Sequence, residues 1–264
     1  MSMQKIAIIN LKGGVGKSVT ACNLACILGQ MHKRRVLVLD LDKQANTSKF
    51  FRCFAKPGPT MADVMTCECK LDEVVLDTEY SHVSVAPSCM EMLLANKQVM
   101  LDVVEPQQNR IRRALHPYAE AYNYCIMDCP PDLDMATINA LTAADWVIIP
   151  LDCDEWAFDG LNEILKQVAA IRENYNPGLK IMGILATKYT RGGYSEAALH
   201  RLKEMGLPTF YGPDGEILRI DYSIKVKESK SEHKPIYAYR VPANLQYRQL
   251  ADIVESKVKG EQNG

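Results

Sequence analysis

The sequence predicts an α/β protein with a doubly wound, mostly parallel β-sheet flanked by helices. Two observations predict this class. Continuous apolar runs rich in Val, Ile and Leu are typical of strands buried on both faces, and the helical patterns between them supply the crossover connections. The predicted strands, in order, are KIAIIN (5–10), RVLVLD (35–40), VSVAP (83–87), YCIMD (124–128), WVIIPL (146–151) and KIMGILATK (180–188).

The remaining segments fit one domain spanning residues 1–264. A helix is expected from about Lys17, and a last helix over about 242–258, followed by a frayed tail at 259–264. The segment 52–82 contains Pro57-Gly58-Pro59 and short polar stretches. It predicts a loop with short helices on the rim of the fold.

Composition narrows the class of protein. The net charge is −1, and no window approaches the roughly 18 consecutive apolar residues of a membrane helix. A lysine at position 5 followed by a strand-like run is unlike a signal peptide. The nine cysteines are scattered, and no two pairs have the spacing of a zinc site. We therefore expect a cytoplasmic protein without a disulfide framework.

The stretch NLKGGVGKS (10–18) nearly matches the phosphate-loop pattern G-x-x-x-x-G-K-[ST]. The first glycine of that pattern is replaced by Leu11, and Lys12 is an additional cation. Three glycines remain, at positions 13, 14 and 16, between a strand and a helix. Such a loop turns successive backbone N–H groups toward an anion at a helix N-terminus. Lys17 would reach the β- and γ-phosphates, and the hydroxyl of Ser18 would bind Mg²⁺.

Three aspartates follow predicted strands. Asp40 ends one strand, Asp42 lies two residues further on, and Asp128 ends another strand before Pro130-Pro131. The carboxyl ends of parallel strands meet at one edge of a sheet, where ligands bind in open α/β folds. The three carboxylates are therefore expected near the phosphates.

Together these motifs resemble the ParA/MinD family of deviant Walker-A ATPases, most closely its short ParA-type members, which partition plasmids and chromosomes. The resemblance covers almost the whole chain. Its four segments are KGGVGKS (12–18), VLVLDLDKQANTS (36–48), IMDCPPDLDMATINAL (126–141) and ADWVIIPLDCDEWAFDGL (144–161).

The resemblance implies a Mg²⁺-dependent ATPase that binds ATP between two subunits, with slow hydrolysis until a partner stimulates it. Lys12 would reach the partner's phosphates, as an arginine finger does in other nucleotidases. Lys17 would bind phosphate, and Asp42 would position the attacking water. The implied metal residues are Ser18, Asp40 and Asp128; the implied nucleotide contacts are Lys12, Gly13, Gly14, Val15, Gly16, Lys17, Ser18, Val19 and, at the ribose, Asp154.

Three positions depart from the family pattern. Val19 replaces a second hydroxyl residue that would contact the α-phosphate, so weaker nucleotide binding is expected. Lys43 replaces a proline and places a cation beside Asp42, and Cys129 replaces a threonine of similar volume.

The resemblance also implies partners. An ATP-bound homodimer would bind DNA without sequence preference on the nucleoid, and a centromere-binding protein of the ParB type would stimulate hydrolysis. Residues 180–240 hold eleven Lys and Arg against seven Asp and Glu, so a basic patch for DNA phosphates is expected there. Its candidates are Lys188, Arg191, Arg219, Lys225 and Lys227, together with Arg201, Lys203 and Lys230.

Three alternatives belong to other classes. A MinD-like protein that cycles on membranes would need a basic amphipathic C-terminal helix, and the acids in LADIVESKV (250–258) argue against one. An iron–sulfur reductase would need two cysteines meeting at a dimer axis, and Cys125 and Cys129 flank Asp128 too closely. A scaffold that does not hydrolyse ATP is disfavoured by Asp42.

Overall fold

A computed structural model describes residues 2–54, 57–153 and 157–262. Its centre is an eight-stranded sheet with the strand order β3-β4-β2-β5-β1-β6-β7-β8. All neighbouring strands pair in parallel except β3, which is antiparallel to β4 at one edge. The strands are β1 Gln4–Ile8, β2 Val36–Asp40, β3 Leu76–Asp77, β4 Val83–Ala86, β5 Tyr124–Asp128, β6 Trp146–Asp152, β7 Lys180–Tyr189 and β8 Arg219–Asp221.

Helices cover both faces of the sheet. They are α1 Lys17–Gln30, α2 Asn46–Phe50, α3 Met61–Thr66, α4 Met92–Leu101, α5 Arg110–Leu115, α6 Met135–Ala143, α7 Ala157–Asn174, α8 Gly193–Glu204, α9 Ile224–Glu232 and α10 Pro242–Gln262. The predicted doubly wound, mostly parallel sheet is confirmed.

Each strand side chain joins one of two apolar cores because side chains alternate between the faces of a strand. In β1, Ile6 and Ile8 pack in the core under α1 and α10, while Ala7 packs in the core under α3 to α8. All three of these side chains have no exposed surface. The carboxyl ends of β1, β2 and β5 lie at one edge of the parallel sheet.

The six predicted strands are present, with small shifts at their ends. The first strand was expected to reach Asn10, but it ends at Ile8 because the chain turns there into the glycine loop. Two edge strands, β3 and β8, were not predicted, since runs of two and three residues carry no recognisable period. Part of the 52–82 segment thus forms the antiparallel edge of the sheet.

The last helix extends to Gln262, through four residues that we expected to be frayed. Two ion pairs support this extension. Lys259 Nζ lies 3.2 Å from Glu255, and Glu261 lies 2.8 Å from Lys180 on β7. No helix in the described parts of the chain is long and apolar enough to cross a membrane.

Candidate nucleotide site

The loop between β1 and α1 is held by side-chain hydrogen bonds that join it to the neighbouring strands β6 and β7. Asn10 Nδ2 donates to the carbonyl of Pro150 (2.7 Å), and its Oδ1 accepts from the N–H of Lys12 (2.8 Å). On the far side, Thr187 Oγ1 donates to the carbonyl of Val15 (2.8 Å). The loop is therefore preorganised on β6 and β7.

Two of the loop glycines adopt the left-handed backbone that favours glycine. Gly14 has φ 77° and Gly16 has φ 97°. Gly16 immediately precedes α1, so the first free N–H groups of that helix point into the loop. A Cβ built on Gly13 or Gly14 would meet no atom within 4 Å, so no part of the subunit covers the loop at these two glycines.

Lys17 is buried inside the loop and is 7% exposed. Its Nζ donates to the carbonyls of Asn10 (2.9 Å) and Lys12 (3.2 Å). Burial lowers the pKa of the Lys17 ammonium, and the negative charge of Asp128 partly opposes this effect. The cation is thus held within the cradle where phosphate would lie.

Asp40 and Asp128 stand side by side on paired strands, and neither has exposed surface. Burial raises the pKa of Asp40 to about 7, with the charge of Asp128 as the next cause. Burial likewise raises the pKa of Asp128 to about 6, while polar contacts with Ser18 and Thr47 oppose the rise. Two adjacent buried carboxylates repel each other, so a cation between them and the phosphates would be favoured.

The hydrogen bonds of these two aspartates differ. Asp40 Oδ2 accepts from the N–H and Oγ of Ser48 (2.7 and 2.6 Å), and its Oδ1 accepts from the N–H of Asp42 (3.2 Å). Asp128 Oδ2 accepts from Thr47 Oγ1 (2.7 Å), but its Oδ1 is buried without a hydrogen bond. This unsatisfied carboxylate oxygen, near Ser18, fits a hard divalent cation. Asp40 supports the site indirectly, through its hydrogen bonds to Asp42 and Ser48.

Asp42 lies in a tight turn after β2 and is 6% exposed. Its Oδ1 accepts from the N–H of Gln44 (2.9 Å), and its carbonyl accepts from the N–H of Ala45 (2.8 Å). Ala45 has φ 51°, a left-handed conformation that is uncommon for a residue with a Cβ. The turn directs Asp42 into the same cavity as the loop.

A cavity of about 590 Å³ extends from the loop across the carboxyl end of the sheet. Its first wall holds Gly13, Gly14, Gly16, Lys17, Ser18, Val19 and Asp42. Its second wall comes from the end of β7, from β8 and from α9, and includes Lys188, Asp221, Tyr222, Lys227 and Lys230. The size and the mixture of charged and apolar residues suit a nucleotide.

The other residues predicted to belong to the site lie at different distances from the cavity. Lys12 is half-buried beside the open tip of the loop, and Val19 is half-buried on the cavity wall. Lys43 lies 3.3 Å from Asp132, so the extra cation next to Asp42 forms an ion pair with the loop after β5. Asp154, the predicted ribose contact, lies outside the described residues.

The predicted DNA contacts do not all lie on an open face. Lys188 and Lys227 line the cavity, as does Lys230. Arg219 lies over the ring of Tyr189, and Lys225 lies 2.5 Å from Glu228. Arg191 is exposed after β7, whereas Arg201 lies over Phe158 and Lys203 pairs with Glu216 (2.8 Å).

Four supporting residues were missed by the sequence analysis: Asn10, Thr47, Ser48 and Thr187. The polar pair Thr47-Ser48 lies in the short helix α2, within eight residues of Asp40, and this proximity could have suggested a role. Asn10 and Thr187 carry no such signal because their partners lie 140 and 172 residues away in the chain.

The two cysteines of the iron–sulfur alternative are both buried in one core. Cys125 lies in β5 and Cys129 directly follows it, and neither has exposed surface. Burial raises the pKa of both thiols well above its usual range. Neither cysteine reaches a surface where two subunits could meet.

The chain is similar to known proteins over most of its length. A family described as an AAA domain matches residues 3–181. The chromosome partitioning protein ParA of Myxococcus xanthus is 34% identical over 238 residues, covering 89% of this chain and 81% of that protein. The sporulation initiation inhibitor protein Soj of Bacillus subtilis is 33% identical, covering 89% and 90%. ParA of Caulobacter vibrioides is 31% identical, covering 98% and 97%.

Solved structures show the same fold. Cobyrinic acid a,c-diamide synthase from Mycobacterium smegmatis, with bound ADP and magnesium, has a TM-score of 0.82 and 25% identity, covering 97% of this chain and 96% of that chain. A plasmid partition protein from Borrelia burgdorferi has a TM-score of 0.73 and 22% identity, covering 97% and 99%.

The fold and the glycine loop define a P-loop ATPase, with ATP and Mg²⁺ as its cofactors. The chain belongs to the ParA/MinD family of partitioning ATPases.

Proposed function

We propose that this protein is a DNA-partitioning ATPase whose ATP-bound dimer binds DNA without sequence preference and is reset by hydrolysis. The observation that carries the proposal is the structure of the loop. Buried Lys17 lies inside the loop, and the loop is uncovered at Gly13 and Gly14, where a built Cβ would meet no atom within 4 Å. Lys12 directly precedes these glycines, and we assign it to the phosphates of a second subunit.

Each residue of the site has a role in this proposal. Lys17 and the N-terminus of α1 bind the phosphates, and Ser18 and Asp128 hold Mg²⁺, which neutralises phosphate charge when bound. Asp40 keeps the Asp42 turn and Ser48 in place through its hydrogen bonds. Asp42 orients the attacking water, and its turn with Gln44 fixes the carboxylate.

Lys12 would supply its charge in trans. A cation delivered by the partner stabilises charge on the γ-phosphate only after the dimer has formed. Dimerisation and nucleotide state then act as one switch. We expect slow hydrolysis by the isolated protein and stimulation by a centromere-binding protein of the ParB type, in keeping with the relatives named for chromosome partitioning.

DNA binding is assigned to basic residues around β7, β8 and α9, with Arg191, Arg219 and Lys225 outside the cavity lining. Contacts of this kind neutralise phosphates and need no base-edge chemistry. The site of action is then the nucleoid in the cytoplasm. A membrane-cycling role finds no support in α10, whose apolar residues Leu250, Ala251 and Val254 are buried in the core with α1.

The proposal is tested by DNA binding at increasing salt. With ATP and Mg²⁺, the wild type should shift random-sequence duplex DNA, and affinity should fall steeply between 50 and 200 mM salt, by roughly 10³-fold or more if six or more phosphates are contacted. Lys17→Ala should bind neither ATP nor DNA. DNA binding that ignores salt, or that occurs equally without ATP, would contradict the proposal.

A further inference from the structure

Helix α9 presents two lysines to the cavity that contains the phosphate loop. Lys227 and Lys230 are three residues apart and therefore lie on neighbouring positions of the helix surface. Both line the cavity together with Lys17, Ser18 and Val19. They belong to the same subunit as the loop, unlike the lysine expected from a partner.

The C-terminal end of α9 is fixed against the first turns of α1. Ser229 is buried, and its Oγ donates to the carbonyl of Val226 (2.9 Å). After the helix, the N–H of Ile236 donates to Asn23 Oδ1 (2.7 Å), while Asn23 Nδ2 donates to the carbonyl of Val19 (2.8 Å). Asn23 thus ties the segment that follows α9 to Val19, in the first turn of α1.

The two acidic residues of α9 are engaged with other groups. Glu228 lies 2.5 Å from Lys225, and Glu232 accepts from the hydroxyl of Tyr239 (2.9 Å) and lies 3.5 Å from Lys234. Within the described residues, Lys227 and Lys230 form no ion pair with a carboxylate. Their charges face a cavity whose other lysine from this wall, Lys188, is paired with Asp152.

Lys230 lies on the side of the cavity where Val19 is found. A cleft between α1, α2 and α9 is lined by Ser18, Val19, Asn46 and Lys230. The side chain of Val19 can neither donate nor accept a hydrogen bond. Lys230 is the cationic group of that cleft, next to the first turn of the helix whose N-terminus faces the phosphates.

We propose that Lys227 and Lys230 bind the phosphates of the nucleotide held by their own subunit, and that Lys230 supplies the contact that Val19 lacks. This inference rests on the proposed nucleotide site and reassigns both lysines from DNA to nucleotide. Because the cleft that Lys230 shares with the first turn of α1 does not include Asp42, we assign its contact to the phosphate nearest the ribose. Removing Lys230 should therefore lower the affinities for ATP and for ADP by the same factor.

The test compares Lys230→Gln and Lys227→Gln with Lys234→Gln, a matched control that removes a lysine outside the cavity lining. Binding of ATP and of ADP with Mg²⁺ is measured by titration calorimetry, and thermal unfolding checks that each variant is folded. Lys230→Gln should lower the affinity for both nucleotides about tenfold, as expected for the loss of one charge-assisted contact. Lys227→Gln should weaken both in the same direction, and Lys234→Gln should leave them unchanged.

A second change separates this role from a general loss of charge. Val19→Thr restores a hydroxyl beside Lys230, so Val19→Thr with Lys230→Gln should recover most of the lost affinity. Nucleotide affinity unchanged in Lys230→Gln, with weaker DNA binding, would overturn the inference and leave the proposed function standing. A loss confined to ATP would also overturn it. If the wild type binds ATP but never DNA, the proposed function fails while this inference stands.

Discussion

At the residue scale, the buried hydroxyl of Thr47 keeps Asp128 ready for a cation. It donates to one carboxylate oxygen and leaves the other without a hydrogen bond. The sequence identified Asp128 because it ends a buried apolar run. It could not identify this hydroxyl, since the turn that brings Thr47 under Asp128 depends on the left-handed backbone of Ala45.

Replacing Thr47 by Val should lower both the stability of the protein and the affinity of its site for Mg²⁺. The change leaves a buried carboxylate oxygen unpaired, which costs about 1 to 3 kcal/mol of unfolding free energy. We expect a lower urea midpoint and a higher Mg²⁺ concentration for half-maximal ATP binding. Thr47→Ser keeps the hydroxyl and is the control. Equal Mg²⁺ dependence in Thr47→Val and the wild type would show that the hydrogen bond has no part in the site.

At the element scale, the sheet order explains why sequence analysis located the centre of the site well and its second wall poorly. The loop and the aspartates follow β1, β2 and β5, which are apolar runs of five residues buried at their carboxyl ends. The second wall comes from β8 and α9. β8 has only three residues. Helix α9 has no apolar stripe, because most of its own residues are Lys, Glu and Ser. Such elements are placed by tertiary contacts and not by periodicity.

Helix α10 offers a matched test of core packing. Leu250 has no exposed surface, whereas Leu245 on the same helix is 62% exposed. Leu250→Ala should lower the free energy of unfolding by about 2 to 5 kcal/mol, because it removes buried methyl groups and leaves a cavity. Leu245→Ala should change it by less than about 0.5 kcal/mol. Urea unfolding measures both, and equal losses would mean that α10 is not packed on α1 as described.

At the scale of the whole molecule, the proposed function is a switch between two states that differ in bound nucleotide and in subunit contact. Asp42→Ala removes the residue proposed to orient the attacking water but none of those proposed to bind phosphate. It should therefore accumulate an ATP-bound dimer that stays on DNA. Gel filtration with light scattering and DNA-shift assays would detect this dimer. A variant that remains monomeric with ATP, or that hydrolyses at the wild-type rate, would remove Asp42 from its assigned role.

In the proposed dimer, Lys12 connects the nucleotide site of one subunit to that of its partner. Lys12 directly precedes Gly13 and Gly14, where a built Cβ would meet no atom within 4 Å. This arrangement makes Lys12 the residue on which the proposed coupling of dimer and nucleotide depends.

The most direct measurement is the ATPase rate of Lys12→Ala beside its ATP affinity. The account predicts ATP binding within about twofold of the wild type, because Lys17, Ser18 and the helix N-terminus remain, together with a hydrolysis rate reduced by about 10³-fold, as for the loss of a cation supplied in trans. Lys12→Ala hydrolysing ATP at the wild-type rate would contradict the account.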